Sequence, residues 1–229
     1  MDSLSFDLRT TPLREMNAFL HRHTDADPTR EIAVLNPDGA HNIAVGLDVP
    51  LHVDIRGHAG YYAAGMNKLA HVTIHGNAGT GVAENMMSGV VRVKGFASNS
   101  AGASAHGGLL IVDGDASLRC GISLKGGDIV VGGSVGSFSG FMAQAGRMVV
   151  CGDAGEALGD SLYEAVIYVR GKIRSLGADA QIEPMQETDF QAVSELLAQA
   201  GLNFDPEEFK RVASARQLYH WNADANQEY

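Results

Sequence analysis

The sequence is poor in the residues that mark secreted and membrane proteins. It has only two cysteines among 229 residues, too few for a disulfide framework. Cys120 and Cys151 also fall at different positions of the repeat described below, so we expect no disulfide between them. No apolar run approaches the ~20 residues that a membrane-spanning helix needs. The first ten residues lack the basic and apolar regions of a signal peptide, and we expect a cytoplasmic protein.

Basic residues are also scarce. Lys and Arg number 17 against 27 Asp and Glu, which gives a formal net charge of -10 at pH 7, and no basic run is present. Proteins that bind polyanions do so through clustered positive charge. The composition therefore excludes nucleic acid and anionic membranes as expected partners.

What the sequence does contain is a repeat with a period of 19 residues. Aliphatic residues stand two and four positions before each marker glycine, and a small or aliphatic residue stands two positions after it. Alternating apolar residues followed by glycine predict a short strand with one buried face and then a turn. The seven marker glycines are Gly57, Gly76, Gly95, Gly114, Gly133, Gly152 and Gly171.

A single strand of this length cannot bury its own apolar face, whereas strands stacked ~4.8 Å apart form a continuous interior. We therefore predict an all-β fold, a parallel β-helix of about seven coils. Two further columns hold only small residues, which predicts tight corners in every coil. These columns are Ala64, Ala83, Gly102, Gly121, Gly140 and Gly159, and Ala70, Gly89, Gly108, Gly127, Gly146 and Ala165.

The repeat divides the chain into three predicted parts. Residues 1–50 form a small α/β N-terminal cap, residues 51–184 the β-helix and residues 185–229 a helical C-terminal tail. In the cap, Thr11 and Pro12 predict a helix that ends at His23. The segments Ile32–Leu35 and Ile43–Leu47 predict two strands around a turn.

Two helices are predicted in the tail. Thr188 and Gln191 form a capping box that starts the first helix, and Gly201 ends it. A second helix is predicted from Asp205, with Pro206 as its first residue. Such flanking elements are expected to cover the exposed strand edges at the ends of a solenoid.

One outward-facing column predicts an interface. Three residues before each marker glycine the column is polar in the first three coils and apolar in the last four. A stripe of stacked apolar residues on an outer face needs a cover, which either the C-terminal helices or a partner subunit supplies. The interface candidates are Ile111, Val130, Val149 and Tyr168, together with the single tryptophan, Trp221, near the C-terminus.

No residue is assigned to catalysis, cofactor binding or metal binding. Asp2 follows Met1, so processing cannot expose an N-terminal nucleophile. His52 and His71 share a column, but the next residue in that column is Val90 and a third metal ligand is missing. Glycine clusters lack the strand-to-helix context of a phosphate-binding loop. The period of six typical of hexapeptide acyltransferases and the clustered aspartates of carbohydrate-cleaving β-helices are also absent.

The coil sequences resemble a known domain. Val72 to Gly79 (VTIHGNAG), Ile111 to Ala116 (IVDGDA), Gly126 to Gly133 (GGDIVVGG) and Val149 to Gly159 (VVCGDAGEALG) are similar to the GXGXG β-helix domain of the glutamate synthase large subunit. The resemblance covers about residues 45 to 184. It implies a right-handed β-helix without catalytic residues that braces a glutaminase domain against a flavin domain.

The N-terminal cap and residues Leu176 to Met185 (LGADAQIEPM) look most like the GXGXG subunit of N-methylglutamate synthase. That resemblance implies a subunit of a transferase complex, without catalytic residues of its own, that converts methylamine and glutamate into N-methylglutamate and ammonia. The implied partners are an amidotransferase-like subunit and an FMN-binding subunit, with an iron–sulfur cluster on a partner left open. The alternatives are the GXGXG subunit of formylmethanofuran dehydrogenase and a stand-alone module of a glutamate synthase.

Overall fold

The computed structural model describes residues 4–23 and 31–216, which contain eleven strands, two α-helices and one short 3₁₀ helix, Pro206–Glu208. The helices are α1 (Leu13–Arg22) and α2 (Glu187–Ala200). The strands are β1 (Leu4–Asp7), β2 (Glu31–Leu35), β3 (His52–Arg56), β4 (His71–Ile74), β5 (Val90–Val93), β6 (Leu109–Val112), β7 (Lys125–Val131), β8 (Ala145–Val150), β9 (Val166–Val169), β10 (Ala180–Glu183) and β11 (Lys210–Ser214).

The repeat folds as one strand per coil. Strands β1 to β9 pair in parallel and in sequence order within one sheet, and the register joins residues 19 apart from β3 to β9, as in His52↔His71. The two aliphatic columns before the marker glycines point inward, and their side chains are at most 1% exposed. A second ladder of parallel bridges joins the column from Ala59 to Ile173. The predicted parallel β-helix is therefore confirmed.

The first small-residue column lies at a corner where the backbone adopts positive φ, whereas in the second column only Gly89, Gly108 and Gly146 do. In the column from Ala64 to Gly159, φ lies between +52° and +69°. Packing adds a local restriction at Gly121, where a Cβ would lie 2.3 Å from the Met148 Cε and this side chain would have to move. The corners thus favour small residues mainly because of the backbone conformation, with packing as a second reason at Gly121.

The N-terminal segment differs in part from the prediction. Helix α1 is present where expected, and its Met16 and Leu20 are fully buried in the main core. Strand β2 is also present, but it pairs with β3 and so continues the solenoid on the N-terminal side of residue 51. The second predicted strand, Ile43–Leu47, is wrong. Its residues form a corner with positive φ at Ala44 and Gly46.

The C-terminal segment differs from the prediction in the capping box of its first helix and in the second helix. Helix α2 ends at Gly201 as predicted, with φ +68°, but its capping box uses Gln186 and Asp189 instead of Thr188 and Gln191. The second helix is replaced by the 3₁₀ turn Pro206–Glu208 and by strand β11.

The reason for this replacement is the free edge of the last coil. β11 pairs antiparallel with β9 on one side and with β10 on the other. Pairing satisfies the edge hydrogen bonds of β9 and buries Val212 completely, and this gain outweighs the local helix-start signal at Asp205 and Pro206. Neither α-helix in the described ranges is long and apolar enough to cross a membrane.

Candidate partner interface

The apolar stripe on the outer face lies beneath α2. Ile111, Val130, Val149 and Tyr168 are between 0% and 3% exposed. They form a second apolar cluster with side chains of the C-terminal segment, namely Val193, Leu196, Leu197, Ala200 and Phe209. Of the two covers that the sequence left open, the structure supplies α2 of the same chain. Val130, Val149 and Tyr168 are not available to a partner while α2 lies on them, whereas Ile111 also lines the cavity at the end of the helix. Trp221 lies outside the described residues.

A buried polar cluster fixes the start of α2 to the sheet. The Tyr168 hydroxyl donates a hydrogen bond to the Asp189 carboxylate at 2.7 Å, and the Arg211 Nε donates to the same carboxylate at 3.2 Å. Asp189 also accepts from the Gln186 backbone N–H at 2.9 Å. Burial and the hydrogen bond to Asp189 raise the pKa of Tyr168. Burial acts to raise the pKa of Asp189, but these hydrogen bonds and the Arg211 charge outweigh it, so that this pKa is lowered.

The Arg170 side chain holds the segment after α2 against the last coils. The Arg170 guanidinium lies 4.5 Å from the centre of the Phe204 ring and forms an ion pair with Glu208. Arg170 also donates to the Cys151 carbonyl oxygen at 3.2 Å. These contacts tie the C-terminal segment to the last coils. The half of the outer face that α2 covers is therefore closed by the chain itself.

The other half of the same face is open. Past the C-terminal end of α2 lies a cavity of about 380 Å³, which we name the open groove. Its walls come from strands β3 to β6 and from the last turn of α2. The lining residues are His52, His71, Val72, Thr73, Val90, Arg92, Leu109, Ile111 and Gln199.

Two histidines form one end of the open groove. The ring centres of His52 and His71 are 4.9 Å apart, and the rings are tilted by 31°. Burial lowers the pKa of His71, and the neighbouring His52 lowers it further. Across the described ranges, no group of three His, Cys, Asp or Glu side chains is placed to hold a metal ion. The pair thus presents two aromatic rings to the groove.

The charged side chains around the open groove are paired. Arg92 and Lys94 share one carboxylate, Asp113, at 2.8 Å and 3.3 Å. Asp54 precedes Thr73 in the same outward column, and its carboxylate is 3.0 Å from the His75 Nε2. None of the residues that line the groove is acidic, although the whole chain carries a formal charge of -10.

A second surface feature, which was not predicted from the sequence, is the column one residue after the marker glycines. Polar side chains in this column accept hydrogen bonds from the backbone of the next coil, as Asn77 does from the Phe96 N–H at 3.1 Å and Asp115 from the Ser134 N–H at 2.7 Å. Phe96 interrupts this column and is 48% exposed. An aromatic residue in a column of otherwise polar or charged residues was the signal that could have identified it as a contact candidate.

Comparison with known proteins gives a clear relative. No protein-family model matches the chain. The chain is 54% identical over 219 residues to Protein GlxC of Rhizobium meliloti (strain 1021), and the match covers 95% of the chain and 96% of that protein. The two chains are thus similar over nearly their whole lengths. The name of the relative states no substrate, cofactor or partner.

Proposed function

The chain belongs to the GXGXG family of β-helix proteins related to glutamate synthase, and from this premise we propose that it is a non-catalytic scaffold subunit of a glutamate synthase-like complex. One observation carries the proposal. The outer face of the sheet is divided into a half that α2 closes and an open groove beside it. A rigid solenoid with an open stretch of this kind is suited to holding another chain in a fixed position.

The two cysteine side chains support a structural role. Burial raises the pKa of the Cys120 thiol to about 12 and that of the Cys151 thiol to about 11. Both residues are buried and free. A thiol of this kind is a poor nucleophile at neutral pH, because the reactive species is the thiolate. The chemistry of the proposed complex is therefore assigned to the partner chains.

Within this class we propose N-methylglutamate synthase as the complex. The support is the resemblance of the N-terminal cap and of residues Leu176 to Met185 to the GXGXG subunit of that enzyme. In this proposal the chain braces an amidotransferase-like subunit against an FMN-binding subunit. The complex then converts methylamine and glutamate into N-methylglutamate and free ammonia.

Purification of the tagged chain from its native host tests the proposal. We expect two companion chains, one amidotransferase-like and one yellow with bound FMN, in fixed ratio to the tagged chain. The same purification from an untagged host is the control. The assembled complex should form N-methylglutamate from methylamine and glutamate.

Other outcomes of this purification would contradict the proposal at different levels. A lone colourless protein would contradict the scaffold role. A pterin with molybdenum or tungsten in the companions would favour the formylmethanofuran dehydrogenase alternative. A complex that forms glutamate from glutamine and 2-oxoglutarate would support the glutamate synthase module.

A further inference from the structure

We propose that residues 217–229 of this chain dock on an apolar patch at one corner of the β-helix. The patch lies on the two coils that begin at Gly114 and Gly133, and we name it the corner patch. It consists of Leu118, Phe138, Phe141 and Met142. The inference goes beyond the proposed function, because it concerns a contact within the chain that the isolated protein would make.

The corner patch exposes large apolar side chains where the backbone disfavours them. Leu118, Phe138 and Met142 are 47%, 43% and 49% exposed, and the Phe141 ring centre is 6.2 Å from that of Phe138. Phe138 and Met142 also have positive φ, +58° and +53°, which bulky residues rarely adopt. In the coils on either side, the Met142 column holds Asn85, Ser104, Ser123 and Ser161. Adjoining apolar side chains at such positions need a cover.

The described part of the chain ends beside this corner. The Ala215 backbone N–H donates to the Asp179 carbonyl oxygen at 2.6 Å, and the Arg216 guanidinium pairs with the Asp179 carboxylate at 2.7 Å. Backbone hydrogen bonds along the corner join each coil to the next, from Met142 to Asp160 and from Ser161 to Ala178. Asp179 therefore lies two coils, ~10 Å, from Met142. Residues 217–229 begin directly after Arg216.

The length and composition of residues 217–229 match this short distance. Trp221 is five residues beyond Arg216, a span of up to ~17 Å in extended chain. Residues 217–222 include Leu218, Tyr219 and Trp221 but no Asp, Glu, Lys or Arg, so their burial takes none of these charged groups out of water. Leu218, Tyr219 and Trp221 are therefore the residues proposed to cover the corner patch.

Quenching of Trp221 fluorescence by acrylamide tests the inference on the isolated full chain. Trp221 is the single tryptophan, so its emission reports on residues 217–229 alone. The test variant is Phe138→Asn with Met142→Gln, which makes the corner patch polar. The control is Met66→Gln in the same column four coils away, since Met66 has nearly the same exposure, 47%, and the same φ, +54°. Thermal unfolding checks that both variants keep the fold.

In the wild type we expect a quenching constant about threefold below that of the urea-unfolded chain, because a docked indole is shielded from the quencher. The test variant should raise this constant about twofold, and Met66→Gln should leave it unchanged. A wild-type Trp221 as accessible as in the unfolded chain would overturn the inference. So would equal responses of the test variant and the control.

Two further results would identify a different occupant and would also overturn docking within the chain. Protection of Trp221 that rises with protein concentration would show that a second copy covers it. Protection that appears only in a complex with other subunits would show that a partner does. A tagged chain that purifies without companions would contradict the proposed function and leave this inference intact, because the fluorescence measurement needs no partner.

Discussion

Gly146→Ala is expected to lower the free energy of unfolding by about 3 kcal/mol or more, the range of severe packing and backbone defects. Gly146 lies in β8 with φ +96°, and a Cβ at this position would lie 2.2 Å from the Gly127 carbonyl oxygen of the neighbouring coil. The colliding atom belongs to the backbone, so it can move only if the spacing of the two coils changes. Urea unfolding of the purified variant measures the effect.

A matched control separates the collision from the conformational cost. Gly39 also has positive φ, +72°, but a Cβ there would meet no atom within 4 Å. Gly39→Ala should therefore cost only about 1 kcal/mol, the penalty of an alanine in the left-handed region. Equal losses for the two variants would show that coil spacing does not determine stability at this column.

Asp189→Ala is expected to destabilise the chain by about 2 to 3 kcal/mol, because it removes the acceptor of the buried Tyr168 hydroxyl and one carboxylate partner of Arg211. The Tyr168 hydroxyl would lose its acceptor, and the Arg211 guanidinium would lose one of its two carboxylate partners and keep Glu183. The start of α2 would also lose its capping box. We expect the amides of α2 to exchange with solvent faster than those of the coils, as hydrogen-exchange mass spectrometry can measure.

Asp189→Asn is the control for charge. The amide keeps an acceptor for Tyr168 but loses the attraction to Arg211, so a smaller loss of unfolding free energy is expected.

The pKa of Asp189 is lowered in the folded chain, so its stabilising contribution is present above the ordinary carboxylate range, about pH 4, and is lost as pH falls through the folded value. If α2 in Asp189→Ala stays as protected as in the wild type, the polar cluster does not hold the helix.

Much of the fold could be predicted because the repeat keeps its period. Each column has one environment in all coils, so the inward columns, the corners and the outer apolar stripe could be assigned from the sequence. The prediction was wrong where the period changes. The step from Glu31 to its partner His52 is 21 residues, and this longer coil hid the corner at Ile43–Leu47.

The C-terminal strand could not be predicted for a different reason. Asp205 and Pro206 carry a local helix-start signal, and the short 3₁₀ turn shows that this signal is used. The conformation of the next residues depends on the free edge of β9, which is distant in sequence and offers strand pairing to Lys210, Arg211 and Val212. A local sequence pattern contains no information on the free energy gained by pairing with this distant strand.

The candidate interface was predictable only in part. The stripe from Ile111 to Tyr168 could be read from one column, and the need for a cover followed from its apolar character. The open groove could not, because it exists only where α2 ends against the sheet. Gly201 predicts where α2 ends along the chain, but the placement of the helix on the sheet rests on tertiary contacts such as that of Asp189 with Tyr168, which no sequence period encodes.

Amine selectivity tests most directly whether this chain contributes assembly and no chemistry. The measurement is the ratio of kcat/KM for methylamine to that for ethylamine in purified complexes that carry His52→Gln or Arg92→Gln. We expect a lower yield of complex but the wild-type ratio in every complex that assembles. A variant that assembles at wild-type yield and changes its amine preference would contradict the scaffold role, because a residue of this chain would then act on the substrate.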